Sequence, residues 1–485
     1  MILSSLLVCP LLGILIVLCL PRRAERAIRA VATGATGIAL ALSLTLLGAF
    51  EPHAVGVQFE ETRLWIPQFN VFYHLGLDGL SLPMVLLTAL LGFLACIASW
   101  SVTARVKEYF VLYLLLEIGM LGTFLSLDLF LFYVFWEVVL VPMYFLIGIW
   151  GGGRREYSAF KFFVYTLAGS LAMLLGILAL YFRTHTLDLV QLAVLGHTFD
   201  LRFQQILFVA FFLGFAIKVP VFPFHTWLPD AHVDAPTPIS VLLAGVLLKM
   251  GGYGFFRISY PVFPDGAQYF GLAMAILGTI NIVYGAFVAM AQTDFKRLVA
   301  YSSVSHMGFV LLGLSSLTPE GLNGASLQMV SHGLITGGMF LLVGVLYDRT
   351  HTRQLDAFGG LGATLPVYAA FLTFFSLASL GLPGLSGFVS EFLALVGTFG
   401  VHGIPTVIAL IGIVATAAYM LTAIQRVLLG PMPEQWKALT DMNRRELVTL
   451  VPLLLLILLV GVYPLTVLRL QDHSIQALIN HVLAR

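Results

Sequence analysis

Charged residues are scarce in this 485-residue chain. Asp, Glu, Lys and Arg make up only 10% of it, against about 25% in ordinary soluble domains. The 25 basic and 24 acidic residues leave a net charge of +1, so the excess of positive charge that marks nucleic-acid-binding domains is missing. The composition therefore argues against a nucleic-acid partner and against a soluble protein with a charged surface.

Cysteines and nucleotide-binding motifs are also scarce. The three cysteines, Cys9, Cys19 and Cys96, lie in apolar runs and form no CxxC pair, which supports no iron–sulfur cluster, zinc site or disulfide framework. Neither GxGxxG nor GxxxxGK(S/T) occurs, so no dinucleotide or triphosphate site is indicated. We therefore expect no cofactor and no metal in this chain, and any redox chemistry must take place in another subunit.

Hydrophobic sequence is abundant instead. Hydrophobic residues make up 59% of the chain and its mean hydropathy is +0.98, as in polytopic membrane proteins. The apolar runs predict an all-α fold of about fourteen transmembrane helices. Their expected positions are 2–20, 31–50, 80–100, 109–127, 128–149, 158–182, 204–228, 237–258, 267–290, 297–316, 325–347, 365–399, 404–428 and 447–468.

The distribution of basic residues supports this count. Connections after odd-numbered segments carry 16 of the 25, whereas the even-numbered connections and the C-terminal tail carry six, Arg257 among them. The other three, Lys161, Lys218 and Lys249, fall inside segments. Because basic loops stay on the inner side of a membrane, we expect both termini on the outer side. The membrane would be a bacterial plasma membrane or an equivalent energy-transducing membrane.

The seventh and twelfth segments are each predicted to be broken. Pro220 and Pro223 follow Lys218 in the seventh, and LASLGLPGLSGF precedes Glu391 in the twelfth. Matched broken helices with an ionisable residue nearby point to a transporter core made of inverted repeats. We therefore predict helices 1–3 with an outer loop at 1–108 and helices 4–8, the first repeat, at 109–258. Helices 9–13, the second repeat, are expected at 267–428, and helix 14 with a tail at 429–485.

Ionisable residues inside the apolar segments are the candidate functional groups, because each is costly in a bilayer. The predicted proton relay consists of Glu137, Lys218, Lys249, His306, His332 and Glu391, with Glu117, Lys161 and His225 as secondary candidates. For any one of them the alternative is a structural ion pair or a hydrogen-bonded core histidine. Lys161 can also snorkel to the inner surface, and His225 and Asp230 fit interfacial or gate positions.

The chemistry of these residues suggests how they would act. We expect Glu137 and Lys218 to pair, because opposite charges lower each other's burial cost, and separating them would change the proton affinity of both. Glycines around Lys249 allow close helix approach. The two histidines can exchange protons near neutral pH and are plausible links between Lys249 and Glu391.

The longest outer connection, about 51–79, is expected to cap the membrane surface. It carries Trp65, Phe69, Phe72 and Tyr73, and aromatic residues favour the interface between membrane and water. A ligand lid is the alternative.

The chain resembles the antiporter-like subunits of respiratory complex I, the proton-translocating NADH:quinone oxidoreductase. The resemblance covers almost the whole chain and is carried by FAIKVPVFPFHTWLPDAHVDAPTPISVLLAGVLLKMGGYG, GLDGLSLP, FWEVVLVPMYFLIGIWGG, QTDFKRLVAYSSVSHMG and LQMVSHGL. At the position of Glu391 the N- and L-type subunits usually have lysine. In this respect the chain resembles the M-type subunit, also called chain 4. The resemblance implies fourteen helices, two inverted five-helix repeats and key groups at Glu137, Lys218, Lys249 and Glu391.

The resemblance also implies a function and partners. The chain would be a translocase subunit without its own redox centre, moving protons in step with quinone reduction elsewhere. NADH, FMN, iron–sulfur clusters and quinone would belong to partner subunits. This chain would contact the lipid bilayer and neighbouring antiporter-like subunits. The alternatives are a subunit of a multisubunit Na⁺/H⁺ antiporter and the equivalent subunit of a photosynthetic plastoquinone-reducing complex.

Overall fold

Helices dominate the computed structural model, which describes residues 1–54 and 56–484. Thirteen helices in the described residues are long and apolar enough to cross a membrane. They are Ile2–Cys19, Glu25–Ala49, Ser81–Ser101, Val106–Leu125, Leu129–Trp150, Arg155–Thr184, Leu201–Lys218, Thr237–Val262, Pro264–Met290, Phe295–Ser315, Pro319–Thr350, Gly403–Leu428 and Arg444–Val462. Two shorter apolar helices, Pro366–Ser379 and Ser386–Phe399, occupy the twelfth predicted segment. All fourteen predicted segments are therefore helical.

Both predicted breaks are present. The seventh segment stops at Lys218 and resumes as a short helix, Trp227–Asp234, because the prolines in the connection cannot donate backbone hydrogen bonds. The twelfth stops at Ser379 and resumes at Ser386. Gly381 and Gly384 lie between these helices with φ of +82° and +92°, a left-handed conformation that glycine adopts without steric cost.

Two further segments have irregular helical geometry. The fifth consists of the helices Leu129–Val138 and Leu140–Trp150, which meet at Val139, two residues after Glu137. In the eighth, π-helical turns at Leu243–Leu247 and Phe255–Ser259 flank the α-helix Leu248–Gly254, which carries Lys249. The eighth segment ends at Val262, so Arg257 lies inside it. The sequence analysis had counted Arg257 with an outer connection, and the structure corrects this.

The connection between the second and third segments forms a β-hairpin within the otherwise helical fold. Strand β1 is Gln58–Ile66 and strand β2 is Val71–Leu77, paired antiparallel with Thr62 opposite His74. Trp65 contacts the ring of Phe130 at 6.1 Å between centroids, and Phe69 contacts Tyr181 at 6.0 Å. The aromatic residues of this connection thus pack on the fifth and sixth segments.

A buried histidine anchors the hairpin. His74 Nδ1 lies 2.7 Å from Asp188 Oδ2, and its Nε2 lies 2.8 Å from Glu60 Oε1. Asp188 caps the short helix Leu189–Gly196, and Asp128, which caps the fifth segment, accepts a hydrogen bond from the backbone N–H of Phe72 at 3.0 Å. The hairpin is therefore tied to two helix N-termini through carboxylates.

We expect this anchorage to weaken as the pH rises above about 6.5, the ordinary pKa of histidine. Burial opposes protonation of His74, but the hydrogen bonds and charges of Asp188 and Glu60 outweigh it and raise the His74 pKa. A raised histidine pKa adds stability below the unfolded-state value that is lost as the pH rises through the folded-state value. Hydrogen exchange of the β2 amides, corrected for intrinsic rates, should therefore lose about tenfold protection between about pH 6 and pH 9.

The neighbouring carboxyl groups titrate at lower pH and can be told apart from His74. Burial raises the pKa of Asp128 to about 6. The folded state therefore binds this proton more tightly than the unfolded state, and stability falls as the pH rises from about 4 to about 6. Burial also opposes ionisation of Asp188, but His74 outweighs it and lowers the Asp188 pKa, so that contribution is lost only in stronger acid. His74→Gln should remove the change above pH 6.5, and an unaltered profile in this variant would contradict the assignment.

The chain divides into two compact units. The first comprises residues 1–220, 246–271 and 469–485, and the second comprises 221–245 and 272–468. The first has an aromatic core in which Trp136 and Phe215 lie 5.7 Å apart between centroids. The core of the second is formed by Ala275, Ile282, Phe309, Leu312, Ala394, Leu395 and Ala409. The inverted repeats stay a prediction.

Candidate functional site

Lys218 is the last residue of the helix Leu201–Lys218 and is only 1% exposed. Its ammonium lies 5.2 Å from the ring centroid of Trp136 and 5.7 Å from that of Phe162. Aromatic faces attract cations, and a helix C-terminus carries a partial negative charge that also favours one. The break in the seventh segment and these two rings therefore create a buried position that accepts an ammonium group.

Glu137 follows Trp136 and is the carboxylate whose charge acts on Lys218. No direct ion pair joins these two residues among the ion pairs of the described chain, and Glu137 Oε1 is buried without a hydrogen-bond partner. A buried polar atom left unpaired costs about 1–3 kcal/mol. We call this arrangement an open pair, and direct pairing of the two groups stays a prediction for another state.

Lys249 is completely buried, and glycines bring its helix against the helix of Lys218. A Cβ atom on Gly251 would lie 2.7 Å from the carbonyl oxygen of Phe215 and 3.1 Å from Lys218 Cβ, and one on Gly254 would lie 2.4 Å from the Phe215 ring. Any side chain at these positions would push the two helices apart. Glycine is therefore what allows the two lysine-bearing helices to touch.

The secondary candidates of this unit have different surroundings. Glu117 on the fourth segment is completely buried, and neither carboxyl oxygen has a hydrogen-bond partner among the described residues. Its Oε1 would lie 2.7 Å from a Cβ on Gly92, so a glycine makes room for it. Lys161 is half-buried with its ammonium 5.8 Å from the Tyr157 ring centroid.

In the second unit, Glu391 and His306 are directly hydrogen-bonded. His306 Nδ1 lies 2.7 Å from Glu391 Oε1, and His306 Nε2 lies 3.1 Å from the hydroxyl of Ser379, the last residue before the break in the twelfth segment. Both His306 and Glu391 are 5% exposed. A buried imidazole between a carboxylate and a hydroxyl can receive a proton on one nitrogen and release one from the other.

His332 lies beside this pair. Its ring centroid is 5.9 Å from that of His306. A cavity with about 10 Å³ of space for a water molecule lies there, close to the smallest volume that holds one. It is lined by His306, Gln328, His332, Ile335, Thr336, Ala378, Ser379, Gly387 and Glu391. The two predicted histidines and Glu391 thus line one small cavity.

Sequence reasoning missed Gln328, Ser379 and Ser390. Gln328 Nε2 donates to Glu391 Oε1 at 3.3 Å, and the hydroxyl of Ser390 donates to Gln328 Oε1 at 2.5 Å. Gln328 precedes His332 by four residues, so the two lie on one helix face. A polar side chain at that spacing from a predicted relay residue was the available signal.

His225 is buried inside the protein, and its interfacial or gate position stays a prediction. It is 2% exposed, in the connection between the two parts of the seventh segment, and its ring contacts Phe222 at 5.8 Å and Tyr284 at 5.1 Å between centroids. The N–H of Phe222 donates to Asn281 Oδ1 at 2.7 Å. Broken backbone at membrane depth needs such partners.

Basic side chains hold the short helix Trp227–Asp234 that follows. Lys296 Nζ donates to the carbonyl of Ala235 and Arg353 donates to that of Val233, both at 2.5 Å. Arg297 pairs with Asp230 at 3.6 Å. Cations at a helix C-terminus offset its partial negative charge, so these residues fix one end of the broken segment.

The chain can now be compared with known proteins. A family model described as NADH:quinone oxidoreductase/Mrp antiporter, TM, matches residues 126–417. The chain belongs to this family. Within the described residues, no group of three or more His, Cys, Asp or Glu side chains is placed to hold a metal ion.

Members of the NADH:quinone oxidoreductase/Mrp antiporter family are similar over nearly the full length. NADH-quinone oxidoreductase subunit M of Rhodobacter capsulatus is 46% identical over 470 residues, which cover 94% of this chain and 91% of the relative. NADH-ubiquinone oxidoreductase chain 4 of Marchantia polymorpha is 42% identical over 482 residues, 99% of this chain and 97% of the relative.

Solved structures show the same fold. A chain of respiratory complex I from Thermus thermophilus is 34% identical, with a TM-score of 0.91 over 99% of this chain and 100% of that one. A chain of the Mrp complex from Dietzia sp. DQ12-45-1b has a TM-score of 0.85 over 100% of this chain and 52% of that one. At 24% identity, this second likeness concerns the fold alone.

Proposed function

We propose that the chain is the proton-translocating membrane-arm subunit, of the subunit M or chain 4 type, of an NADH:quinone oxidoreductase. It acts as a translocase subunit, and the redox reaction takes place in partner subunits. NADH, FMN, iron–sulfur clusters and quinone are assigned to those partners. Neighbouring antiporter-like subunits and the lipid bilayer surround the chain, and both of its termini lie on the outer side of the membrane.

One observation carries this proposal: each unit has a carboxylate and a buried basic group beside a broken segment. In the first unit these are Glu137 and Lys218, whose ammonium lies 5.2 Å from the Trp136 ring. In the second they are Glu391 and His306, at 2.7 Å. Burying ionisable groups is costly, and the broken segments supply polar backbone beside them.

The proposed relay loads protons from the inner side onto Lys218 and Lys249. It then passes them through His332 and His306 to Glu391. The Glu137–Lys218 pair opens and closes with the redox cycle. Closing it would raise the proton affinity of the lysine, and opening it would lower that affinity. The open pair described above corresponds to the state in which Lys218 releases its proton.

The decisive experiment measures what drives ΔpH formation by the parent complex in sealed vesicles. Addition of NADH and a quinone should generate ΔpH in sodium-free buffer, and an inhibitor of quinone reduction should abolish it. ΔpH that requires a sodium gradient and ignores NADH would overturn the proposal and identify a Na⁺/H⁺ antiporter instead. Peripheral NADH-oxidising subunits that co-purify with the chain would support the first result independently.

A further inference from the structure

Two polar side chains of the eighth segment, beyond Lys249, meet a carboxylate that precedes the third segment. Arg257 Nη2 donates to Asp78 Oδ1 at 2.5 Å, and Arg257 Nε donates to the hydroxyl of Tyr253 at 2.8 Å. The Tyr253 hydroxyl in turn donates to the carbonyl of Phe124 at 3.0 Å. Asp78, Tyr253 and Arg257 are referred to below as the Asp78 cluster.

The Asp78 cluster is buried, and its arginine and carboxylate form an ion pair. The side chains of Arg257 and Asp78 are 13% and 12% exposed. Burial opposes ionisation of Asp78, but the charge and hydrogen bond of Arg257 outweigh it and lower the Asp78 pKa. Asp78 Oδ1 also accepts the backbone N–H groups of Leu80 and Ser81, where the third segment begins. The arginine is therefore held by a carboxylate that is itself fixed.

This arrangement cannot pass a proton outward. Lys249, Tyr253 and Arg257 follow one another at intervals of four residues, which places them along one side of a helix. The hydroxyl proton of Tyr253 is directed at a carbonyl, which has no proton to hand on. Arginine does not release its proton in proteins, and a fixed arginine beside a path repels protons and other cations.

The helix geometry sets this stretch apart from the other segments. The π-helical turn Phe255–Ser259 contains Arg257, and a second π-helical turn, Leu243–Leu247, lies on the other side of Lys249. Such turns occur often at functional sites. They mark this part of the eighth segment as a candidate functional region.

We propose that the Asp78 cluster is a proton lock: it closes the outer end of the segment that carries Lys249, so that a proton held there does not leak to the outer side. The lock rests on the function proposed above and on the orientation given there. It leaves the outward direction along this segment closed to that proton. The cluster positions charge and does not itself carry protons.

The test uses the complete complex in liposomes and follows the decay of an imposed ΔpH without NADH. Two unit charges about 12 Å apart along a helix repel by an energy that corresponds to about a tenfold change in rate at an effective dielectric of about 20. Since Asp78 offsets part of this, Arg257→Gln should raise the leak per complex roughly three- to tenfold. The double variant Lys249→Ala with Arg257→Gln should return it to the parent level.

Arg349→Gln is the matched control. Arg349 and Glu446 form an equally buried pair, 13% and 10% exposed, so this variant should reduce assembly without raising the leak per complex. Where Arg257→Gln does not assemble, Tyr253→Phe, which removes only the hydroxyl that holds Arg257, should raise the leak about twofold. An unchanged leak in the assembled variants, or a leak that persists without Lys249, would overturn the lock. Neither result depends on whether Lys218 variants pump.

Discussion

Lys218→Ala should lower the rate of proton translocation about 100-fold in an assembled complex. Without a basic group at the break, a proton must cross this position with no partner that shares its charge. The cost is comparable with the roughly 2.5–3.5 kcal/mol of a charge at the centre of a bilayer, and about 1.4 kcal/mol corresponds to a factor of ten in rate. The measurement is NADH-driven ΔpH formation per assembled complex in vesicles.

Lys218→Arg separates proton transfer from simple charge. Arginine keeps a cation against the rings of Trp136 and Phe162, 5.2 and 5.7 Å from the lysine ammonium, but it does not release a proton. Translocation should therefore fall in this variant as far as in the alanine variant. Normal pumping with arginine would show that residue 218 acts only by its charge, and normal pumping with alanine would remove it from the relay.

Much of the fold could be predicted from the sequence, because a bilayer imposes simple rules. The fourteen segments follow from hydropathy, and the breaks near Lys218 and Glu391 follow from proline and glycine chemistry. The hairpin was missed because it lies in a connection between apolar segments, where hydropathy gives no signal. Arg257 was counted with a connection because it lies at the end of the predicted segment 237–258, but the helix continues to Val262.

The candidate site was predicted less completely. Periodicity along one helix shows which residues share a face, but it does not fix how neighbouring helices are aligned. The sequence analysis could therefore name His306 and Glu391 as ionisable residues inside apolar segments, but it could not predict their 2.7 Å contact. It could equally propose a Glu137–Lys218 pair without revealing that the lysine lies on aromatic rings. Gln328 was overlooked because neutral polar residues do not stand out among charges.

Glu391→Gln should lower proton translocation at least about tenfold while leaving assembly near normal. Glutamine is nearly the same size and can still hydrogen-bond with His306 and Gln328, but its amide cannot take up a proton. The small cavity beside His332 gives protons only a poor bypass. The effect should appear as less ΔpH per NADH oxidised, measured with the amount of complex normalised.

Glu446→Gln is the control for a buried carboxylate in the same unit. Glu446 accepts two hydrogen bonds from Arg349, each at 2.8 Å, and has no place in the proposed relay. Leaving a buried partner unpaired costs about 3–5 kcal/mol, so this change should reduce the amount of assembled complex while each remaining complex pumps normally. If Glu391→Gln instead pumps like the parent, His306 and Glu391 form a structural pair, and the terminal acceptor of the relay lies elsewhere.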